Sequence, residues 1–204
     1  YKTFGGVNID NGTCVRQTVD LGYIIAGYTN SYGAGGYDAY LIKTDISGTV
    51  QWSFTYGGTN WDFGNSVRQT SDGGYIVAGN SYSFGSGSED VYLFKTDTTG
   101  VLMWDTTYGG NQDDAGKSVW VCTDSGFFIT GYTNSFGNGG YDMYIFKTDA
   151  LGNLQWQDTI GGTADDKAYQ GQQTSDGGYI TMGNTNSFSA SNQYFQTYMV
   201  KSDV

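Results

Sequence analysis

Asp90-Val91-Tyr92-Leu93-Phe94-Lys95-Thr96 decides the fold. Its centre is an unbroken apolar run of strand-forming residues. Successive side chains of a strand point to opposite faces, so such a run needs cover on both sides. A sheet backed by water would alternate apolar with polar residues instead. The run returns as Tyr40-Leu41-Ile42, Tyr144-Ile145-Phe146 and Tyr198-Met199-Val200. Around the second copy, residues 65–70 predict a short first strand and Ser71-Asp72-Gly73-Gly74 a turn. Residues 75–81 predict a second strand, followed by a Gly/Ser loop. The stretch 90–96 is the third, and after the turn Asp97-Thr98-Thr99-Gly100, residues 101–108 predict a fourth. Four short strands joined by hairpin-type connections make one antiparallel sheet.

The unit recurs four times. Gly5-Gly6, Gly57-Gly58, Gly109-Gly110 and Gly161-Gly162 open the copies at steps of 52 residues. Trp52, Trp104 and Trp156 keep the same spacing on the fourth strand. A period of this size marks solenoids, propellers or arrays. Small four-stranded sheets that each need cover on both faces describe an all-β β-propeller, whose blades stack around an axis. The blades run over approximately 5–56, 57–108, 109–160 and 161–204 of a single domain, 1–204. Tyr1-Lys2-Thr3-Phe4 aligns with Ser53-Phe54-Thr55-Tyr56, so residues 1–4 are expected to be half of a fourth strand that closes the last blade.

Composition sets limits on function. The 204 residues carry a net charge of −11, and the nine basic side chains form no run, which argues against nucleic acid. No apolar stretch is long enough for a spanning helix. Histidine is absent, removing the commonest general base and metal ligand. Aromatics reach 17%, enough large side chains to build a core at a modest aliphatic content. Cys14 and Cys122 occupy different repeat positions and read as small buried side chains rather than a disulfide. The chain opens with Tyr1 rather than Met, as a processed protein or an excerpt of a longer one would. The acidic, Lys-poor, Asn/Ser/Thr/Tyr-rich composition points to an extracellular or cell-surface setting.

The pattern from Tyr37 to Trp52, repeated from Tyr141 to Trp156, resembles tandem propeller repeats of secreted and surface proteins of bacteria and archaea. Tyr92 to Trp104 is also similar to the outer hairpin of pyrroloquinoline-quinone-type blades. The resemblance implies the fold and not an activity, because propellers host many functions. No position matches the quinone-binding features, so no cofactor is expected on that ground.

Strand alternation sends the short turns to one face and the long, varied loops to the other. Variable loops on a rigid scaffold favour binding, and two aspartate series lie on that loop face. They are Asp10, Asp62, Asp114 and Asp166, and Asp38, Asp90 and Asp142, with Gln196 standing in the fourth copy. Recurring Asp in loops first suggests carboxylates that accept backbone N–H bonds and fix the loop. Calcium is the second reading, since Asp and carbonyl oxygens suit a hard cation. Carbohydrate is the third, with Trp61, Tyr32, Phe84 and Phe136 offered to a sugar's apolar face. Lys43, Lys95, Lys147 and Lys201 read as solvated strand-end lysines paired with nearby acids. The expected function is a non-catalytic structural or protein-interaction module, free or as a homodimer, with a glycan-binding module as the alternative. A carboxylate-based hydrolase comes third, because paired acids can work without histidine.

Overall fold

The computed structural model describes residues 1–189 and 194–203, which contain fifteen strands and no helix. The first repeat forms β1 (Asp10–Gln17), β2 (Tyr23–Thr29), β3 (Asp38–Thr44) and β4 (Val50–Tyr56). The second forms β5 (Asp62–Gln69), β6 (Tyr75–Ser81), β7 (Asp90–Thr96) and β8 (Leu102–Tyr108). The third forms β9 (Asp114–Val121), β10 (Phe127–Thr133), β11 (Asp142–Thr148) and β12 (Leu154–Ile160). The fourth forms β13 (Asp166–Gln173), β14 (Tyr179–Thr185) and β15 (Gln196–Ser202). Each repeat is an antiparallel meander, four strands wide in the first three copies and three in the last. The expected second and third strands of the second copy match β6 and β7. The first strand starts earlier than expected, at Asp62. A bulge at Asn65 interrupts the ladder, so pairing passes from Gly64–Gly79 to Ser66–Ala78. The inner strands of the first, third and fourth sheets carry bulges at the same place.

The sheets stack as the apolar runs require, and the fold is an all-β propeller. Ile24, Ala26 and Leu41 of the first sheet pack against Val67, Val77 and Phe94 of the second. Ile76, Ala78 and Leu93 of the second meet Val119, Ile129 and Phe146 of the third. Phe128 and Ile145 then meet Tyr179 of the fourth. A tyrosine at the end of β4 and another at the end of β8 each bolt one sheet to the next. The buried Tyr56 hydroxyl donates to the Gly100 carbonyl at 2.6 Å, and Tyr108 does the same to Gly152. Tyr56→Phe is expected to lower stability by about 1 kcal/mol. Chemical denaturation would check it, and an unchanged midpoint would show that the bolt contributes nothing.

The lysine series departs from expectation. Lys43, Lys95 and Lys147 are paired with Asp20, Asp72 and Asp124, yet the lysines are buried. Their strands are enclosed on both faces, so the ammonium runs between strands and is bonded internally rather than by water. Lys43 Nζ donates to Asp20 at 2.8 Å, to the Thr44 carbonyl at 2.8 Å and to Gln51 at 3.0 Å. Lys201, with no sheet beyond it, is exposed and bonds Asp176 at 3.0 Å. Both cysteines are free thiols, Cys122 buried and Cys14 half-buried.

The first and fourth sheets share no packed face among the described residues. Residues 1–4 form no strand and lie on the first sheet. The apolar run of the fourth copy is accordingly uncovered on one side, with Met199 at 65% exposure where Leu93 is at 0%.

Candidate interaction surface

The seven aspartates sit at the first position of their strands rather than in free loops. In the first series each carboxylate closes the Gly-Gly turn behind it. Gly6, Gly58, Gly110 and Gly162 donate their N–H to Asp10, Asp62, Asp114 and Asp166 at 2.7–2.9 Å. A serine hydroxyl from the long loop donates to the same oxygen, as Ser83 does to Asp62 at 2.6 Å and Ser135 to Asp114 at 2.6 Å. In the second series Asp38, Asp90 and Asp142 accept the N–H of Ala34, Gly87 and Asn138 at 2.8–3.0 Å. All are buried except Asp10, which is half-buried. The fold brings the two series together across each junction. Asp38 and Asp62 flank Gly57, Asp90 and Asp114 flank Gly109, and Asp142 and Asp166 flank Gly161. Burial, with Asp62 adding its charge, pushes the Asp38 carboxyl up to about 6. Asp90 and Asp142 are raised for the same reasons. Among the described residues no three carboxylates or thiols converge as a metal cluster would.

The recurring aromatics each lean on the third strand of their own sheet. Tyr32, Phe84, Phe136 and Phe188 lean on Tyr40, Tyr92, Tyr144 and Tyr198, with centroids 5.2–5.8 Å apart. The loop that holds Phe188 continues through residues 190–193, which lie outside the described residues.

What breaks the repeat gathers instead at the axial end of the loop face. Trp61 is 52% exposed and stands at the entry to β5. It meets Tyr37 edge-on at 5.9 Å and Tyr82 at 6.1 Å. Behind it Phe63 stacks on Tyr37 at 5.9 Å and meets Tyr28 at 4.9 Å. The Trp is therefore a half-exposed ring whose angle is set by its neighbours. Beside these rings lies a charged half. Lys167 Nζ is 3.8 Å from the Tyr141 ring centroid and 4.6 Å from that of Tyr132, with Lys117 at 5.0 Å from Tyr132. Burial raises the Glu89 carboxyl, against the pull of Lys117 and a hydrogen bond from Tyr82. Burial lowers the Lys117 ammonium, against the pull of Glu89. Asp113 accepts from Ser88 and, at 3.3 Å, from the Tyr141 hydroxyl.

Sequence reading found Trp61, and Asp113 beside Asp114, and missed Glu89, Lys117 and Lys167. The signal was in the copies themselves, since structural positions repeat and these do not. Where the second copy has Trp61, the others have Ile9, Asp113 and Asp165. Glu89 stands against Tyr37 and Tyr141, and Lys117 against Thr13, Asn65 and Tyr169. The last set are the bulge residues, which the bulge aims out of the ladder. Thr13 donates to the Gly64 carbonyl and Asn65 to that of Gly116, both on the next sheet. Lys117 turns the same position into a charge.

No family model matches the chain. It is similar to the regulatory protein FlaEY of Caulobacter vibrioides, 26% identical over 170 residues, covering 76% of this chain. The chain spans 18% of that relative's length. Among solved structures it is similar to Sqt1 of Chaetomium thermophilum, with a TM-score of 0.46 and 14% identity, over 85% of this chain and 41% of the other.

Proposed function

We propose that the propeller body is a non-catalytic protein-interaction module, working at the cell surface or outside the cell, and that the belt around Trp61 is its contact. One observation carries this reading. A large, half-exposed ring, held in one orientation by a cluster of aromatics, sits next to Glu89, Lys117 and Lys167, charges that the other copies do not carry at those positions. Protein interfaces concentrate binding energy in such anchored aromatic residues, bordered by polar groups. Six of the seven aspartates support the non-catalytic reading, because carboxylates bonded to backbone amides and closed off from solvent do not meet a substrate. The acidic composition supports the setting outside the cell. The regulatory relative is consistent with a binding role.

The test begins with a photo-crosslinking residue at Tyr82 on the belt and, as control, at Ile46 in the opposite turn. A partner captured only from the belt is then purified and titrated. Trp61→Ala is expected to weaken that complex by about thirty-fold, the size of a hot-spot loss, with the melting temperature unchanged. Equal affinity of the variant would overturn the assignment. The exposed ring also suits a sugar's apolar face, which gives the second reading. A glycan array with hits lost in Trp61→Ala would move the function to carbohydrate binding.

A further inference from the structure

Between the outer strands of the first and second sheets lies a cleft of about 410 Å³, the size of a small-molecule site. Its walls are Phe54 and Tyr56 of β4, Phe84 of the long loop, Tyr92 of β7, and Leu102 and Asp105 of β8. None of the lining residues is basic. The rings are held in place by the core behind them. Tyr56 and Tyr92 both pack on the fully buried Phe94, with centroids 4.6 and 5.1 Å away. Phe84 leans on Tyr92 at 5.6 Å and Phe54 on Trp52 at 5.9 Å, yet Phe84 and Phe54 stay 41% and 45% exposed. The turn at Gly100 lies close against Phe54, where a Cβ on the glycine would stand 2.7 Å from the ring. The Tyr92 hydroxyl donates to one oxygen of Asp105 at 2.9 Å. The other oxygen of this exposed carboxylate has no hydrogen-bond partner among the described residues.

The next junction builds the same frame. Tyr108, Phe136 and Tyr144 stand there for Tyr56, Phe84 and Tyr92, and the Tyr144 hydroxyl donates to Gln157 at 2.7 Å. Three lining positions change: Phe54, Val101 and Asp105 become Thr106, Asn153 and Gln157. The first junction therefore has a ring and a carboxylate where the second has a hydroxyl and an amide. Both differences favour one kind of ligand. A ring face attracts a cation through its quadrupole, most strongly where water is displaced. The carboxylate supplies a counter-charge, and a net charge of −11 draws cations while repelling anions. A primary ammonium is strongly hydrated and would lose its water among rings. An alkylated one offers methyl groups to the rings and has few or no N–H bonds to lose.

We propose that this cleft binds an alkylated ammonium cation, its methyl groups against Phe54, Phe84 and Tyr92 and its charge balanced by Asp105. The rings are already fixed by Phe94 and Trp52, so binding orders little of the protein. The cleft is separate from the belt around Trp61, and the proposal does not depend on that contact.

Titration of the chain with choline, followed by NMR, tests it beside choline's uncharged isostere, in which carbon replaces the nitrogen. Choline is expected to bind with a Kd on the order of 1 mM and the isostere at least about ten-fold more weakly. Phe54→Thr and Asp105→Gln import the residues of the next junction. Each is expected to weaken choline by about ten-fold, with the melting temperature kept, since both side chains are exposed. Phosphatidylcholine vesicles distinguish the source of the cation. Co-sedimentation that Phe54→Thr abolishes places it on a lipid headgroup, and choline binding without co-sedimentation makes it a free molecule; either result supports the site. No binding of choline up to about 100 mM, equal binding of the isostere, or unchanged affinity in either variant would overturn the proposal.

Discussion

Leu93→Ala is expected to cost about 2–5 kcal/mol of unfolding free energy, while Met199→Ala, at the same repeat position, costs less than about 1 kcal/mol. Leu93 is fully enclosed between the second and third sheets. Truncation there loses the transfer energy of the removed carbons and leaves a cavity that two rigid sheets cannot easily close. Met199 stands in solvent, and its loss opens no cavity. For a chain of this size the Leu93 change corresponds to a fall in melting temperature on the order of 10 °C. Denaturant titration of both variants in dilute solution makes the comparison. Equal losses would mean that neighbouring sheets do not supply the burial, and the stacked architecture would be wrong.

Asp38→Asn is expected to stabilise the chain at neutral pH by roughly 3 kcal/mol, at about 1.4 kcal/mol per pKa unit. The folded carboxyl lies near 6, raised from 3.8 by burial and by the charge of Asp62. A carboxyl raised on folding takes up a proton as the chain folds between those two values. Its contribution is most favourable below about pH 4 and is lost as pH rises through about 6. Asparagine keeps an oxygen for the Ala34 N–H and presents an amide to Asp62, removing the buried charge. Asp20 has the opposite sign. Its bond from Lys43 holds it down at about 2, so its stabilisation is present above about pH 4 and lost as pH falls towards 2. Asp90 and Asp142 are raised like Asp38, so wild-type stability should peak at mildly acidic pH. Melting curves from pH 3 to 8 would show a gain at pH 7 and a shallower fall above pH 4 in the variant. No gain, with an unchanged slope, would place the charge elsewhere.

Much of this was legible in the chain because a repeat states its structural positions several times over. Tyr92-Leu93-Phe94 required cover on both faces, and the period named neighbouring copies as that cover. Asp62 and its relatives were recognisable as loop-fixing acids because their Gly-Gly partner always stands four residues back. The buried lysines were not legible. A lysine before Thr-Asp reads as solvated until the sheets on either side are placed, and only then is Lys147 seen to reach Asp124 from between strands. The belt was half legible. Trp61 stood out as a large ring in a loop, but Lys117, Lys167 and Glu89 are far apart in sequence and meet only where the inner strands converge.

The sequence alone determined the strands, their turns, the four-fold repetition and the need for stacked sheets, because these follow from local backbone preference and alternation. Tertiary structure decided what lies across a junction. It paired Asp38 with Asp62, aimed Lys117 through a bulge, and left Met199 open where Leu93 is closed. Residues with the same local sequence signature end in different environments because burial and charge proximity are set by the neighbouring sheet.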